Sequence, residues 1–434
     1  MWMEKISNTR AILSLSPLAV FLGIYLVSSL IAGDFYGIPV SAAFLLACIY
    51  ALAVARGPIK ERVASFSRGA GNGNVLLMIW IFILAGAFAG TAKDIGAVDA
   101  TVNLALKVVP PAMLYAGFFL TSCFISLSIG TSVGTIVALV PIASGLASQT
   151  GIPVPFMTAI IVGGAFFGDN LSFISDTTIA ATRAVGCEMK DKFKANLKIV
   201  APAVAVVTAI YLFKGASLTT PAPSSEAGQW FKMIPYILII VLALCGRDVL
   251  LTLSIGIAAN AVIGLSCGDF TWGGFLVSVG SGIASMSDLI VVTMLAGGLL
   301  GIIRDGGGLD WAISKMTSFI KGPRGAQASI AALVSIANIC TANNTIAIIT
   351  TGEIASDISK RYGVDPRKAA SIMDTFSCLV QGFLPYGAQL MMASALSGAA
   401  ATSIISYLYY PFLVGICAIA SILIRRPCSA PERR

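Results

Sequence analysis

Two aspartates lie where a bare carboxylate is costly. Asp169 and Asp176 belong to the stretch GAFFGDNLSFISDTT (164–178), which is strongly apolar apart from them and the hydroxyls of Ser172, Ser175, Thr177 and Thr178. An ionised aspartate at membrane depth costs on the order of 3 kcal/mol or more, and it persists where it binds a cation, takes a proton or pairs with a base. Carboxylates among hydroxyl oxygens form a donor set for a small hard cation. Two like charges held side by side favour protonation of one of them, so a single cluster can trade a cation for a proton. The chain contains no histidine, which leaves proton traffic to carboxylates, lysine, backbone and water. The Gly168-Asp169-Asn170 step reads as a hairpin tip, with Asp176 on the returning arm. The blander role, a carboxylate capping a helix, suits Asp169 better than Asp176.

Two polar clusters interrupt long apolar stretches. GTSVGT (130–135) supplies Thr131, Ser132 and Thr135, and TANNT (341–345) supplies Thr341, Asn343, Asn344 and Thr345. Unwound backbone at membrane depth is tolerated where it lines a cavity or is buried in protein. Freed carbonyls, hydroxyls and half-helix ends then suit an ion. The competing reading is a pair of helices packing through small residues. A third polar region, 370–398, holds Asp374, a relay or structural partner, and Gln381, which with Asn343 and Asn344 would suit an organic solute. Asp94 and Asp305 precede amphipathic stretches at 97–108 and 309–320, where Asp99 and Asp310 fit the starts of interfacial helices.

The elements that must position these residues are membrane spans. Of 434 residues, 57% are hydrophobic and only 11% charged, too few charges to cover a soluble protein of this length. Apolar runs at 15–31, 40–54, 75–90, 112–128, 195–213, 231–245, 249–266, 289–303 and 403–424 approach the ~20 residues that cross a bilayer. The first run is too long for a secretory signal and lacks a following A-x-A-like site, so a retained helix is expected. Nine scattered cysteines without a C-x-x-C pair indicate neither a disulfide framework nor a zinc site. A formal charge of +8 fits basic cytoplasmic loops better than nucleic-acid binding. With neither H-E-x-x-H nor a P-loop, an enzyme is not expected, nor is any cofactor.

The chain repeats itself. LAGAFAGTAKDIGAVD (84–99) and LAGGLLGIIRDGGGLD (295–310) share seven of sixteen positions at an offset of 211, with Lys93 matched by Arg304. This divides the chain into a first repeat at 1–215, an extracytoplasmic linker at 216–229 and a second repeat at 230–434. Each repeat is expected to hold about five transmembrane helices, a broken helix (at 130–135 and 340–345) and a re-entrant hairpin (150–186 and 370–398). An odd number of crossings turns the second repeat upside down, an arrangement typical of secondary transporters with a site at the midplane. Basic residues at 56–68, 183–198, 304–324 and 425–426 place those segments and both termini in the cytoplasm of an inner-membrane protein. The basic segment 360–368 falls outside on this count, as an exception.

The stretch 164–178 is similar to the signature of the NhaC-type sodium/proton antiporter family, part of the ion transporter superfamily. GTSVGT resembles that family's Gly-Thr-Ser-x-Gly-Thr element. TANNT, with Asp374 and Phe383-Leu384-Pro385-Tyr386, resembles its second-half motif. Family members carry proline after the first hairpin's serine, where this chain has Phe173. The resemblance covers most of the chain and implies an all-α, elevator-type fold whose mobile domain crosses the bilayer against an inverted-repeat scaffold, with a homodimer as one arrangement. It implies Na+ and H+ as cargo in a lipid-embedded protein. Asp169, Asp176, Ser172, Ser175, Thr177 and Thr178 would be the ion ligands. The alternative is a cation-coupled carrier of a small organic acid or amino acid.

Overall fold

The computed structural model describes residues 8–32, 39–172, 175–218, 230–245, 247–308, 311, 315, 320 and 322–424. The regular elements among them are helical: α1 (Asn8–Ala32), α2 (Val40–Val54), α3 (Ile59–Ala70), α4 (Gly73–Asp94), α5 (Ala97–Val108), α6 (Leu114–Ile129), α7 (Ser132–Thr150), α8 (Val154–Leu171), α9 (Asp176–Val185), α10 (Met189–Gly215), α11 (Ile234–Leu244), α12 (Val249–Cys267), α13 (Trp272–Ser285), α14 (Ser287–Asp305), α15 (Gly322–Thr341), α16 (Asn344–Tyr362), α17 (Pro366–Gln381), α18 (Ala388–Ser397), α19 (Ala401–Ser406) and α20 (Tyr409–Ile424). Among the described residues, seven spans are long and apolar enough to cross a membrane. Asp310, Phe173, residues 219–229 of the linker and residues 425–426 lie outside the described residues. Glycines in the left-handed region stop α6, α7, α9, α12, α16 and α18, at Gly130, Gly151, Gly186, Gly268, Gly363 and Gly398.

The order of α1–α4 and α6–α9 recurs in α11–α14 and α15–α18, and the packing exchanges the two series. Helix α4 packs on α13 as α3 packs on α14, α7 carries α18 as α16 carries α9, and α8 follows α6 as α17 follows α15. The corresponding helices α4 and α14 run in opposite senses. The start of α4 borders a cavity shared with Arg304 and Asp305 at the end of α14. The end of α4, Lys93 and Asp94, borders another cavity shared with Ser285 and Met286, where α14 begins.

The re-entrant and broken elements exchange places relative to the sequence expectation. The helix α7 ends with Gln149 Nε2 donating to Asp99 Oδ1 of α5, at 2.9 Å. The helix α6 begins only a few residues after α5. The pair α6–α7 therefore enters and leaves at one end and turns back at Gly130-Thr131. Helix α8 runs parallel to α6, since Ser122 and Ser126 donate to Ile161 O and Ala165 O at 2.7 and 2.6 Å. Helix α9 lies on α16 and α17 instead of folding back along α8. Helices α8 and α9 thus form one broken crossing, not the hairpin expected at 150–186. In the second half α15–α16 is likewise the hairpin, and α17–α18 the broken crossing that had been expected to turn back at 370–398. Backbone geometry gives the reason. Gly130 (φ 76) and Ala342 (φ 51) occupy the left-handed region that reverses a chain, whereas Ser172 and Ser175 are extended and carry it onward.

This exchange removes the anomaly in the loop charges. Ala184 near the end of α9 approaches Gly352 of α16, and Glu353 lines the same cavity as Arg68, Arg304 and Asp305. Lys360, Arg361, Arg367 and Lys368, which flank the α16–α17 turn, therefore gather at the same end as Arg68 and Arg304. Arg68 pairs there with Asp305 at 2.7 Å.

Candidate functional site

The hairpin tips and helix breaks of both halves meet around Asp169. This residue occupies the last turn of α8 and is 4% exposed. The close α6–α8 approach holds that turn in place. A Cβ at Gly168 would meet Ser126 Oγ at 2.0 Å, and one at Gly164 would meet Ser122 at 2.5 Å, so neither position has room for a side chain. Asp169 Oδ1 accepts from Ser132 N at 3.1 Å, and Oδ2 accepts from Asn344 Nδ2 at 3.2 Å. Ser132 and Asn344 open α7 and α16, so two helix N-termini, one from each half, converge on one carboxylate. No Lys or Arg among the described residues pairs with Asp169.

Amides join the two halves on the other side. Gln389 Nε2 donates to Ser132 Oγ at 3.0 Å. Gln381 Nε2 donates to Gln389 Oε1 at 2.8 Å and to Ala342 O at 2.9 Å. Thr131 and Asn343 cap the second arms of the two hairpins, accepting from Gly134 N at 3.5 Å and Ile346 N at 3.0 Å.

A buried ion pair adjoins this centre. Lys192 of α10 is 1% exposed and Asp374 of α17 is 0% exposed, with Nζ 2.9 Å from Asp374 Oδ2. Lys192 Nζ also donates to Asn170 O at 2.8 Å and Thr178 Oγ1 at 2.7 Å, placing an ammonium at the carbonyl end of α8, where a helix favours positive charge. Asn196 Nδ2 bridges Asn170 O and Asp374 Oδ2 at 2.8 and 2.7 Å.

The expected site residues divide accordingly. Asp169, Ser132, Asn344 and Gln381 come together, and Asp374 stands beside them through Lys192 and Asn196. Thr177 spans the break in the α8–α9 crossing by donating to Asp169 O at 2.9 Å, while Ser175 Oγ lies 2.8 Å from Thr177 Oγ1. Ser172 donates to Leu127 O at 2.7 Å and Thr178 accepts from Lys192. Thr135 bonds back to Thr131 O at 3.2 Å and Thr341 reaches Asn343 O at 3.0 Å. Thr345 donates its backbone N–H to Asn344 Oδ1 at 3.0 Å. These three shape the tips without touching Asp169. The two aspartates reverse the roles the sequence suggested: Asp176 is exposed in the first turn of α9, and Asp169 is not at a turn but buried in a helix.

The sequence reading placed no cationic residue in the site, and Lys192 corrects it. The sequence reading counts it among the basic loop residues of 183–198. The missed signal is periodicity: Lys192, Asn196, Ile199, Val200, Ala203, Val207 and Tyr211 form one buried face of α10. Asn338 was also missed. It donates to Ser377 O at 2.6 Å.

Two cavities approach the centre from opposite ends. One, of about 600 Å³, is bordered by Arg68, Asp305 and Glu353 and extends to the second tip at Thr341, Ala342 and Asn343. The other, of about 580 Å³, is bordered by Lys93, Asp99 and Pro141, and none of its lining residues belongs to the first tip at 130–132.

The model of the Na+/H+ antiporter family matches residues 6–216 and 229–425. The chain is similar to the malate-2H(+)/Na(+)-lactate antiporter of Bacillus subtilis, 23% identical over 446 residues that cover 94% of each protein. It is also similar to the Na(+)/H(+) antiporter NhaC of that organism, 23% identical over 80% of this chain and 83% of the relative. A third relative is the arginine/ornithine antiporter ArcD of Halobacterium salinarum, 24% identical over 80% and 76%. The solved YdaH transporter of Alcanivorax borkumensis is 14% identical and covers 95% of this chain and all of its own (100%), at a TM-score of 0.42.

Proposed function

This chain belongs to the Na+/H+ antiporter family, and from that premise we propose that it exchanges Na+ for H+ through Asp169. The supporting observation is the setting of that carboxylate, buried between two helix N-termini with no basic partner among the described residues. The N-termini favour the ionised form, and burial demands a counter-charge. Either Na+ or H+ meets that demand, and one carboxylate cannot fully serve both, so binding of one ion expels the other. A change in access between the two binding events converts this competition into exchange.

The antiparallel course of α4 and α14, and the cavities at opposite ends, support inverted repeats with alternating access. The mobile unit would be α6–α10 with α15–α20, moving against α1–α4 and α11–α14 as an elevator. The end carrying Arg68, Arg304, Arg361 and Arg367 would face the cytoplasm of an inner-membrane protein, with both chain termini on that side. The larger cavity is then the cytoplasmic entry. Its volume also supports a second reading. About 600 Å³ exceeds what a bare ion needs and falls within the range of small-molecule sites, and two similar antiporters are named for organic solutes.

Everted vesicles with an imposed proton gradient and a pH-sensitive dye test both readings. Sodium alone is expected to collapse the gradient in the unsubstituted protein and in Asp176→Asn, but not in Asp169→Asn. Unimpaired exchange by Asp169→Asn would sink the assignment. A response that requires malate, lactate, arginine or ornithine together with sodium would favour the second reading.

A further inference from the structure

The buried constellation holds an uneven set of charges. Asp169 and Asp374 bring two carboxylates and Lys192 one ammonium, all at most 4% exposed. The ammonium is held as a bound metal ion would be, by oxygens alone. Its three N–H groups go to Asn170 O, Thr178 Oγ1 and Asp374 Oδ2, from the end of α8, the start of α9 and the middle of α17, which uses every donor a lysine has. On residues of the same cluster, Asp374 Oδ1, Asn170 Oδ1 and Asn196 Oδ1 are buried without a hydrogen-bond partner among the described residues. Asn196 cannot turn its amide to use that oxygen, because its nitrogen already serves a carbonyl and a carboxylate. The cluster also occurs once. In the other half, the positions equivalent to Asp374, Lys192 and Asn196 are Val162, Ile404 and Leu408, all apolar.

We infer that Lys192 is a resident cation of the transport site, neutralising Asp374 throughout the cycle and so limiting the constellation to one mobile cation. The inference rests on the exchange reading above and specifies how many ions it moves. With Lys192 in place the cluster carries one uncompensated negative charge, which a single Na+ or a single H+ satisfies. Without it, Asp374 needs a second mobile cation.

The test uses the full-length protein in proteoliposomes, reading sodium-driven proton movement and membrane potential together. Lys192→Met is expected to raise the Hill coefficient for Na+ from about one to about two and to change the charge moved per proton. Lys192→Arg, and Lys192→Met combined with Asp374→Asn, are expected to stay near one. Asp374→Asn alone leaves a neutral cluster and is expected to weaken sodium activation on the order of tenfold. This last variant decides the matter should Lys192→Met fail to fold. A Hill coefficient that stays near one in folded Lys192→Met overturns the proposal, as does wild-type sodium activation in Asp374→Asn. Absence of any sodium response in the unsubstituted protein overturns the exchange reading itself, and this inference with it.

Discussion

The two halves place different chemistry on the same backbone. An offset of 212 residues carries Gly130 onto Ala342, Ser132 onto Asn344, Asp169 onto Gln381 and Thr177 onto Gln389. Even a hydrogen bond is conserved across it: Ser126 to Ala165 O becomes Asn338 to Ser377 O, each spanning 39 residues. At the last turn of the entering arm the first half has a carboxylate and the second an amide. An amide brings its own donors, and Gln381 spends them on Ala342 O and Gln389. A carboxylate has none and must take them from outside, and Asp169 takes one from Asn344 of the other half. The difference teaches that one half supplies the buried carboxylate and the other completes its hydrogen bonding, so on the exchange reading neither would hold an ion alone.

The strongest way to break this comparison is to shorten or neutralise the two equivalent positions in parallel. Asp169→Asn should abolish sodium-driven proton movement, while Gln381→Asn should leave it measurable. Equal loss at both would erase the division of labour. Next in size is the ion pair that only one side carries. Removing either partner of a buried pair costs about 3–5 kcal/mol, so Lys192→Met and Asp374→Asn should each lower the unfolding temperature in detergent strongly. The double substitution should cost clearly less than their sum, and simple additivity would argue against a direct pair. Ser126→Ala and Asn338→Ala remove matched hydrogen bonds and should each cost about 1 kcal/mol. A large inequality between them would show that the second half relies on amides for stability as well as for completing the site. The tips carry effects of similar size. Gly130→Ala should cost about 1–2 kcal/mol, because a left-handed conformation strains any residue with a Cβ. Ala342→Gly should stabilise by up to about 1 kcal/mol, since Ala342 already bears that strain. Unchanged melting in both would mean the reversals are not where the backbone places them.

Much of the scaffold was legible beforehand. The run at 40–54 is α2 residue for residue, and the runs near 249–266 and 289–303 lie within α12 and α14. Such runs are visible because lipid selects composition along a whole segment, which needs no knowledge of neighbours. The polar tips showed for a similar reason, since hydroxyls and amides stand out against apolar surroundings.

The sequence by itself determined that this is a polytopic helical membrane protein of repeated elements with polar breaks at matching places, and that it carries Asp169, Asp374 and Gln381 in apolar settings. Tertiary structure decided which interruption reverses the chain and which only pauses it, because that depends on left-handed against extended backbone at a few residues. It also decided which aspartate is buried. The sequence reading favours Asp176 over Asp169 as the functional carboxylate, and the convergence of α7 and α16 on Asp169 reverses that order. Above all, it turned Lys192 from a loop charge into the partner of Asp374, at a separation of 182 residues in the chain. A charge reads as solvated until something across the fold removes the water, and that something lies in the other half of the molecule.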